Sequence, residues 1–148
     1  MRQNTLSYFL VFIVYLALQV FLFNNMVLFG TAFCFIYIAF ILFLPFRINP
    51  VFLISLGFFG GLITDIFYNS MGVNAAAMTF LAFIRRPWIL LLTPPGGYDD
   101  IPAPTAKALG LSWFVFYAIP LTFIHHLVLF TVEAGHFPVS WQIGRAHV

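Results

Sequence analysis

The chain has 148 residues, of which 63% are hydrophobic and only 7% charged, and six Lys and Arg against four Asp and Glu leave a net charge of +2. Soluble domains carry about 25% charged residues, so a surface drawn from this composition could not stay solvated, and both a water-soluble enzyme and a disordered chain are excluded. The small cationic excess is no nucleic-acid footprint, so no nucleic-acid partner is expected. Mean hydropathy is +1.04, and aromatic residues reach 20%, with 21 Phe, a composition suited to lipid-facing helices. The expected architecture is an all-α integral membrane protein, with about five transmembrane helices and the start of a sixth.

The first predicted span covers 6–23 and breaks at Asn24-Asn25. Its apolar stretch is longer than a signal-peptide core and no small-x-small cleavage site follows, so it reads as a helix rather than a leader. The second span covers 27–46, closed by Pro45 and Arg47, and contains Cys34, the single cysteine, which offers neither a disulfide framework nor a cysteine zinc site. The third covers 50–68 and the fourth 73–92. Only 73–84 precedes Arg85-Arg86-Pro87, which is about 18 Å of helix against a hydrocarbon core of about 30 Å. Two readings stay open: a short helix with both arginines snorkelling to the inner headgroups, or a helix kinked at Pro87 that continues into 88–92. The second is preferred, with Trp88 near the interface. Thr93 to Pro104 forms a Pro/Gly-rich connector, either a docking loop or a solvated link. The fifth span covers 109–132 and is expected to kink at Pro120; a sixth begins near Phe137 and stops almost at once.

Orientation follows from the cations. With the N-terminus cytoplasmic, Arg2, Arg47, Arg85, Arg86 and Lys107 all fall on the inner side, a positive-inside pattern that orients a multi-pass membrane protein. The last six residues, Ile143-Gly144-Arg145-Ala146-His147-Val148, read as a translation of the sequencing-adapter string ATC GGA AGA GCA CAC GTC. Residues 143–148 are therefore expected to be an artefact, with the membrane domain covering 1–142 and the native chain continuing past Gln142.

Gly57, Gly61, Asp65 and Asn69 recur every four residues, which puts them on one narrow stripe of the third helix. Gly57-x-x-x-Gly61 admits the close approach of another backbone, and the fourth helix offers a small face in Ala75, Thr79 and Ala82. Close pairing of the third and fourth helices is the simplest consequence, with Phe58, Phe59, Leu62, Ile66 and Phe67 turned toward lipid or other side chains. Asp65 is the carboxylate well inside a span, and an unpaired charge there would cost at least ~2.5–3.5 kcal/mol. It is either an ion or proton relay, or a polar contact bonded to Thr64, Asn69 or Asn74 around the turn. It lies about one turn deep and Arg85 over three turns away, which argues against a direct ion pair. His125, Glu133 and His136 share one side of the fifth helix, but their spacing fits no zinc signature; interhelical hydrogen bonding is the better reading for His125. No metal, cofactor or catalytic set is expected.

The stretch Gly61-Leu62-Ile63-Thr64-Asp65-Ile66-Phe67-Tyr68-Asn69-Ser70-Met71-Gly72-Val73-Asn74-Ala75 resembles the signature of the rod shape-determining protein MreD family: a Gly, an Asp four residues on, then a Gly that opens the next helix. Gly61, Asp65 and Gly72 match those positions, and Arg86-Pro87-Trp88 matches a further segment. The resemblance covers 6–142 and departs from the family at the C-terminus, where the last helix is cut off. It implies a bacterial inner-membrane protein similar in fold to the substrate-binding S-components of ECF transporters. It also implies a non-catalytic role in the cell-elongation machinery, with an MreC-like bitopic membrane protein, the peptidoglycan synthases of elongation and an MreB-like filament as partners. The sequence thus points to Gly57, Gly61, Asp65, Asn69, Gly72, Asn74, Arg85, Arg86 and His125 as packing or interaction residues. The rival expectation is a small-molecule or ion transporter subunit using Asp65.

Overall fold

The computed structural model describes residues 5–18 and 36–145, and among these every regular element is an α-helix. They are α1 (Thr5–Leu18), α2 (Ile36–Phe43), α3 (Pro50–Tyr68), α4 (Val73–Leu91), α5 (Ala106–Leu109) and α6 (Leu111–Arg145). The predicted break at Asn24-Asn25, the first part of the second span with Cys34, and residues 146–148 lie outside the described residues.

Local chemistry sets the helix starts and stops. Asn49 caps α3, its Oδ1 accepting the Val51 N–H at 2.9 Å, and Pro50 occupies the first helical position, where its missing N–H and fixed φ cost nothing. At the other end Asn69 turns left-handed (φ 55°, ψ 41°), followed by Met71 (φ 47°) and Gly72 (φ 88°), so α3 reverses into α4 within four residues. Glycine at 72 supplies a conformation that a side chain at the same φ would resist.

α3 and α4 form the most extensive helix pair, and α4 also packs along α6. The pairing rests on missing side chains. A Cβ on Gly57 would stand 2.8 Å from the Met78 carbonyl oxygen, and one on Gly61 would stand 2.5 Å from both the Ala75 Cα and the Asn74 carbonyl oxygen. The two backbones are therefore in direct contact, as small residues permit in an apolar surround. Gly60, one position off the stripe, serves another neighbour: a Cβ there would run into the ring of Phe12 from α1. Leu53 and Leu56 of α3, Met78 and Leu81 of α4, and Tyr117 and Leu121 of α6 close the core with Phe12, Phe40 and Ile41.

Two sequence expectations change. Five spans are not supported: two described helices are long and apolar enough to cross a membrane, Pro50–Tyr68 and the Leu111–Gly135 part of α6. The described parts of the first two spans are helices of 14 and 8 residues, and α4 carries Arg85 and Arg86 within its 19 residues, which lowers its hydropathy. The fifth span and the start of a sixth are one continuous helix, Leu111–Arg145. No left-handed residue interrupts it after Gly110, so nothing between 132 and 137 makes the turn that separate helices would need. α4, by contrast, runs through Pro87 to Leu91, in line with the preferred reading that the helix continues into 88–92.

Gly61→Ala is expected to force α3 and α4 apart and to cost about 1–3 kcal/mol of stability, the usual penalty of overpacking. Gly135→Ala, where an added Cβ meets nothing within 4 Å, is the control expected to leave stability unchanged or slightly raised. Unfolding of both variants in detergent checks the pair.

Candidate functional site

Thr64 and Asp65 lie on the last turns of α3 and are buried, with Asp65 only 4% exposed. Thr64 satisfies its hydroxyl on its own helix, donating to the Gly60 carbonyl at 2.9 Å. Asp65 reaches across to α4. Its Oδ1 accepts the backbone N–H of Asn74 at 2.9 Å, the Asn74 side-chain amide at 3.0 Å and the Ser70 hydroxyl at 2.6 Å. Its Oδ2 accepts the backbone N–H of Ala75 at 2.8 Å. Asn74 also donates to Ser70 Oγ at 2.9 Å, closing the network.

The arrangement is a helix cap supplied by a neighbour. The N-cap position of α4 is Gly72, which has no side chain to offer. Two amides that a Ser or Asp at the cap would normally help satisfy, those of the second and third helical residues, bond instead to a carboxylate on the preceding helix. Charge and dipole agree, because an anion is stabilised at the positive N-terminal end of a helix. Of the sequence-predicted residues, Gly61, Asp65, Asn69, Gly72 and Asn74 come together at this junction, with Gly57 one turn further along the same contact.

Arg85 and Arg86 separate. Arg86 is exposed, whereas Arg85 is 1% exposed and points into the bundle. The reading in which both arginines snorkel to the headgroups therefore fails for Arg85. Its Nε donates to the Tyr117 hydroxyl at 2.9 Å and its Nη2 donates to the Leu44 carbonyl. Tyr117 in turn donates its own hydroxyl hydrogen bond to the Leu42 carbonyl at 2.8 Å. Leu42 is among the last carbonyls of α2, which no later residue of that helix can satisfy. Arg85 and Tyr117 thus close the C-terminal end of α2 with positive charge at the negative end of the dipole.

The same end carries an aromatic cluster that the sequence reading missed. Phe46 stacks on Tyr98 with ring centroids 4.3 Å apart, and Trp113 stacks on Tyr117 at 5.0 Å. Tyr98 donates to the Ile89 carbonyl and Trp113 to the Leu92 carbonyl, each at 2.9 Å, closing the end of α4 as well. Burial pushes the Tyr98 phenol above its usual value, against the opposing effect of bonds to Thr93 and Trp113. The Arg47–Asp99 ion pair at 3.2 Å ties the 93–105 connector to the turn before α3, but both groups are exposed and such a pair adds about 0–1 kcal/mol. The connector is therefore neither free nor held chiefly by charge; its aromatic residue anchors it.

His125 is fully buried on α6, its ring edge-on to His126 with centroids 5.3 Å apart. Among the described residues no group of three His, Cys, Asp or Glu side chains is placed to hold a metal ion. Trp88 Nε1 donates to the Phe116 carbonyl at 3.3 Å. Phe116 lies four residues before Pro120, which has no N–H to give it, so the indole supplies the missing donor.

Asp65→Ala is expected to cost about 1–3 kcal/mol by leaving the Asn74 and Ala75 amides buried without their acceptor. Asp65→Asn, which retains one carbonyl oxygen, should recover part of that loss. Tyr117→Phe should cost a similar amount, since it strands both Arg85 Nε and the Leu42 carbonyl. Denaturant titration of the three variants in detergent measures all of this.

No protein-family model matches the chain, and no curated protein or solved structure matches it.

Proposed function

We propose that the chain is a non-catalytic, multi-pass component of the bacterial inner membrane that serves the cell-elongation machinery, as its resemblance to the MreD family implies. In this reading it crosses the membrane as an S-component-like helical bundle with its N-terminus cytoplasmic. It presents apolar helix faces to an MreC-like bitopic protein and to the peptidoglycan synthases, with an MreB-like filament reached through the cytoplasmic loops.

The observation that carries the reading is the engagement of Asp65. Both of its oxygens accept donors that hold α4 in place, which supports cohesion over a proton or ion relay and disfavours the transporter reading. The membrane setting is supported by the outer surface. Phe59, Ile66 and Phe67 on α3, Phe83, Leu90 and Leu91 on α4, and Phe116, Ile119, Phe123 and Phe130 on α6 are all more than half exposed. An apolar surface on this scale marks a lipid or protein interface.

Purification of the chain from bacterial membranes in mild detergent is expected to recover an MreC-like protein or an elongation synthase; recovery of neither overturns the elongation role. Orientation is tested separately. With Cys34 replaced by Ser, Met71→Cys should react with a membrane-impermeant maleimide on intact spheroplasts, and Lys107→Cys only after permeabilisation. The opposite labelling pattern reverses the orientation.

A further inference from the structure

On the outward side of the α3–α4 pair, Phe58 and Leu62 of α3 and Phe80 and Phe83 of α4 wall a groove of about 580 Å³. Gly72 and Ala76 help to floor it. Thr79, the groove's hydroxyl, is already committed to its own helix, donating to the Ala75 carbonyl at 2.6 Å. The surface therefore asks for an occupant without hydrogen-bonding groups. From Gly72 to Phe83 the groove runs about 16 Å along α4 at 1.5 Å per residue, long enough for an extended acyl chain entering from the Arg86 end.

Charge at one end selects among apolar occupants. Arg86 follows Phe83 by three residues, which places it on the same face of α4, one turn beyond the groove. It is exposed and makes no ion pair among the described residues. A linear apolar slot that ends beside an unpaired cation has the chemistry of a phospholipid: tail in the slot, anionic headgroup at the guanidinium. We propose that this groove seats one acyl chain of an anionic phospholipid whose headgroup is held by Arg86. The inference rests on the membrane reading above but not on the elongation role.

The test uses the full chain purified in mild detergent and mixed with equal amounts of phosphatidylglycerol and phosphatidylcholine, with retained lipid read by native mass spectrometry. The expected result is a preference of about fivefold for phosphatidylglycerol, the effect of one cation at the surface. Arg86→Gln should abolish the preference while some lipid is still retained, and Ala76→Phe, which fills the slot, should remove both lipids. Ile66→Phe, exposed and outside the groove, is the control of comparable bulk, with helix content of each variant checked by circular dichroism. Equal retention of the two lipids by the unaltered chain overturns the proposal. So does unchanged retention in Ala76→Phe, or a loss of self-association or partner recovery in that variant with lipid unaffected, which would make the groove a helix interface. Release of the chain from membranes by alkaline carbonate overturns the membrane reading on which the proposal stands.

Discussion

A backbone amide or carbonyl without a partner in an apolar surround costs several kcal/mol, and every helix end exposes such groups. This constraint organises the structure. The two buried charges of the described bundle do not neutralise one another; each completes a helix end that its own helix cannot complete. Asp65 of α3 receives the first amides of α4, and Arg85 of α4, with Tyr117 of α6, closes the last carbonyls of α2. In both places the sign of the charge suits the dipole it meets. Tyr98 and Trp113 treat the end of α4 in the same way with neutral donors.

The glycines and the caps depend on one another. Gly61 brings the α3 backbone against Asn74 and Ala75, and those are the residues whose amides Asp65 captures one turn later. With bulk at position 61 the carboxylate would still be there, but the amides would move away from it. Gly60 performs a similar service for the ring of Phe12 on another face of the same helix. A helix with so many small residues gains little from side-chain burial along these contacts and much from backbone proximity, which is how apolar helices associate where lipid is as greasy as leucine.

Much of this was legible in the residues themselves. The four-residue recurrence of Gly57, Gly61 and Asp65 marked the face of α3 that meets α4, and Pro50 marked where α3 starts. Asn74 stood among the expected partners of Asp65; Ser70 did not, because a turn residue on no helix face carries no periodic signal. Arg85 stood among the expected packing residues, but charge alone left snorkelling open as a second reading. Asn74, Met78, Leu81, Arg85 and Ile89 fall at helical spacing on the buried face of α4, and that periodicity would have turned the side chain inward. The continuity of α6 was hidden for a different reason. Gly135 and Pro138 look like breakers, yet a helix ends only where the chain finds another route for its hydrogen bonds. The aromatic cluster left no sign at all, since Phe46, Tyr98 and Trp113 are far apart in the chain and meet only because three helix ends do.

The caps differ in how far along the chain they reach. Asp65 finds its backbone donors nine and ten residues downstream, so the α3–α4 hairpin is completed by local contacts. The Leu42 carbonyl is satisfied by a hydroxyl 75 residues later in the chain. The α3–α4 hairpin therefore closes on local bonds, whereas the end of α2 is completed only by contacts from distant parts of the chain.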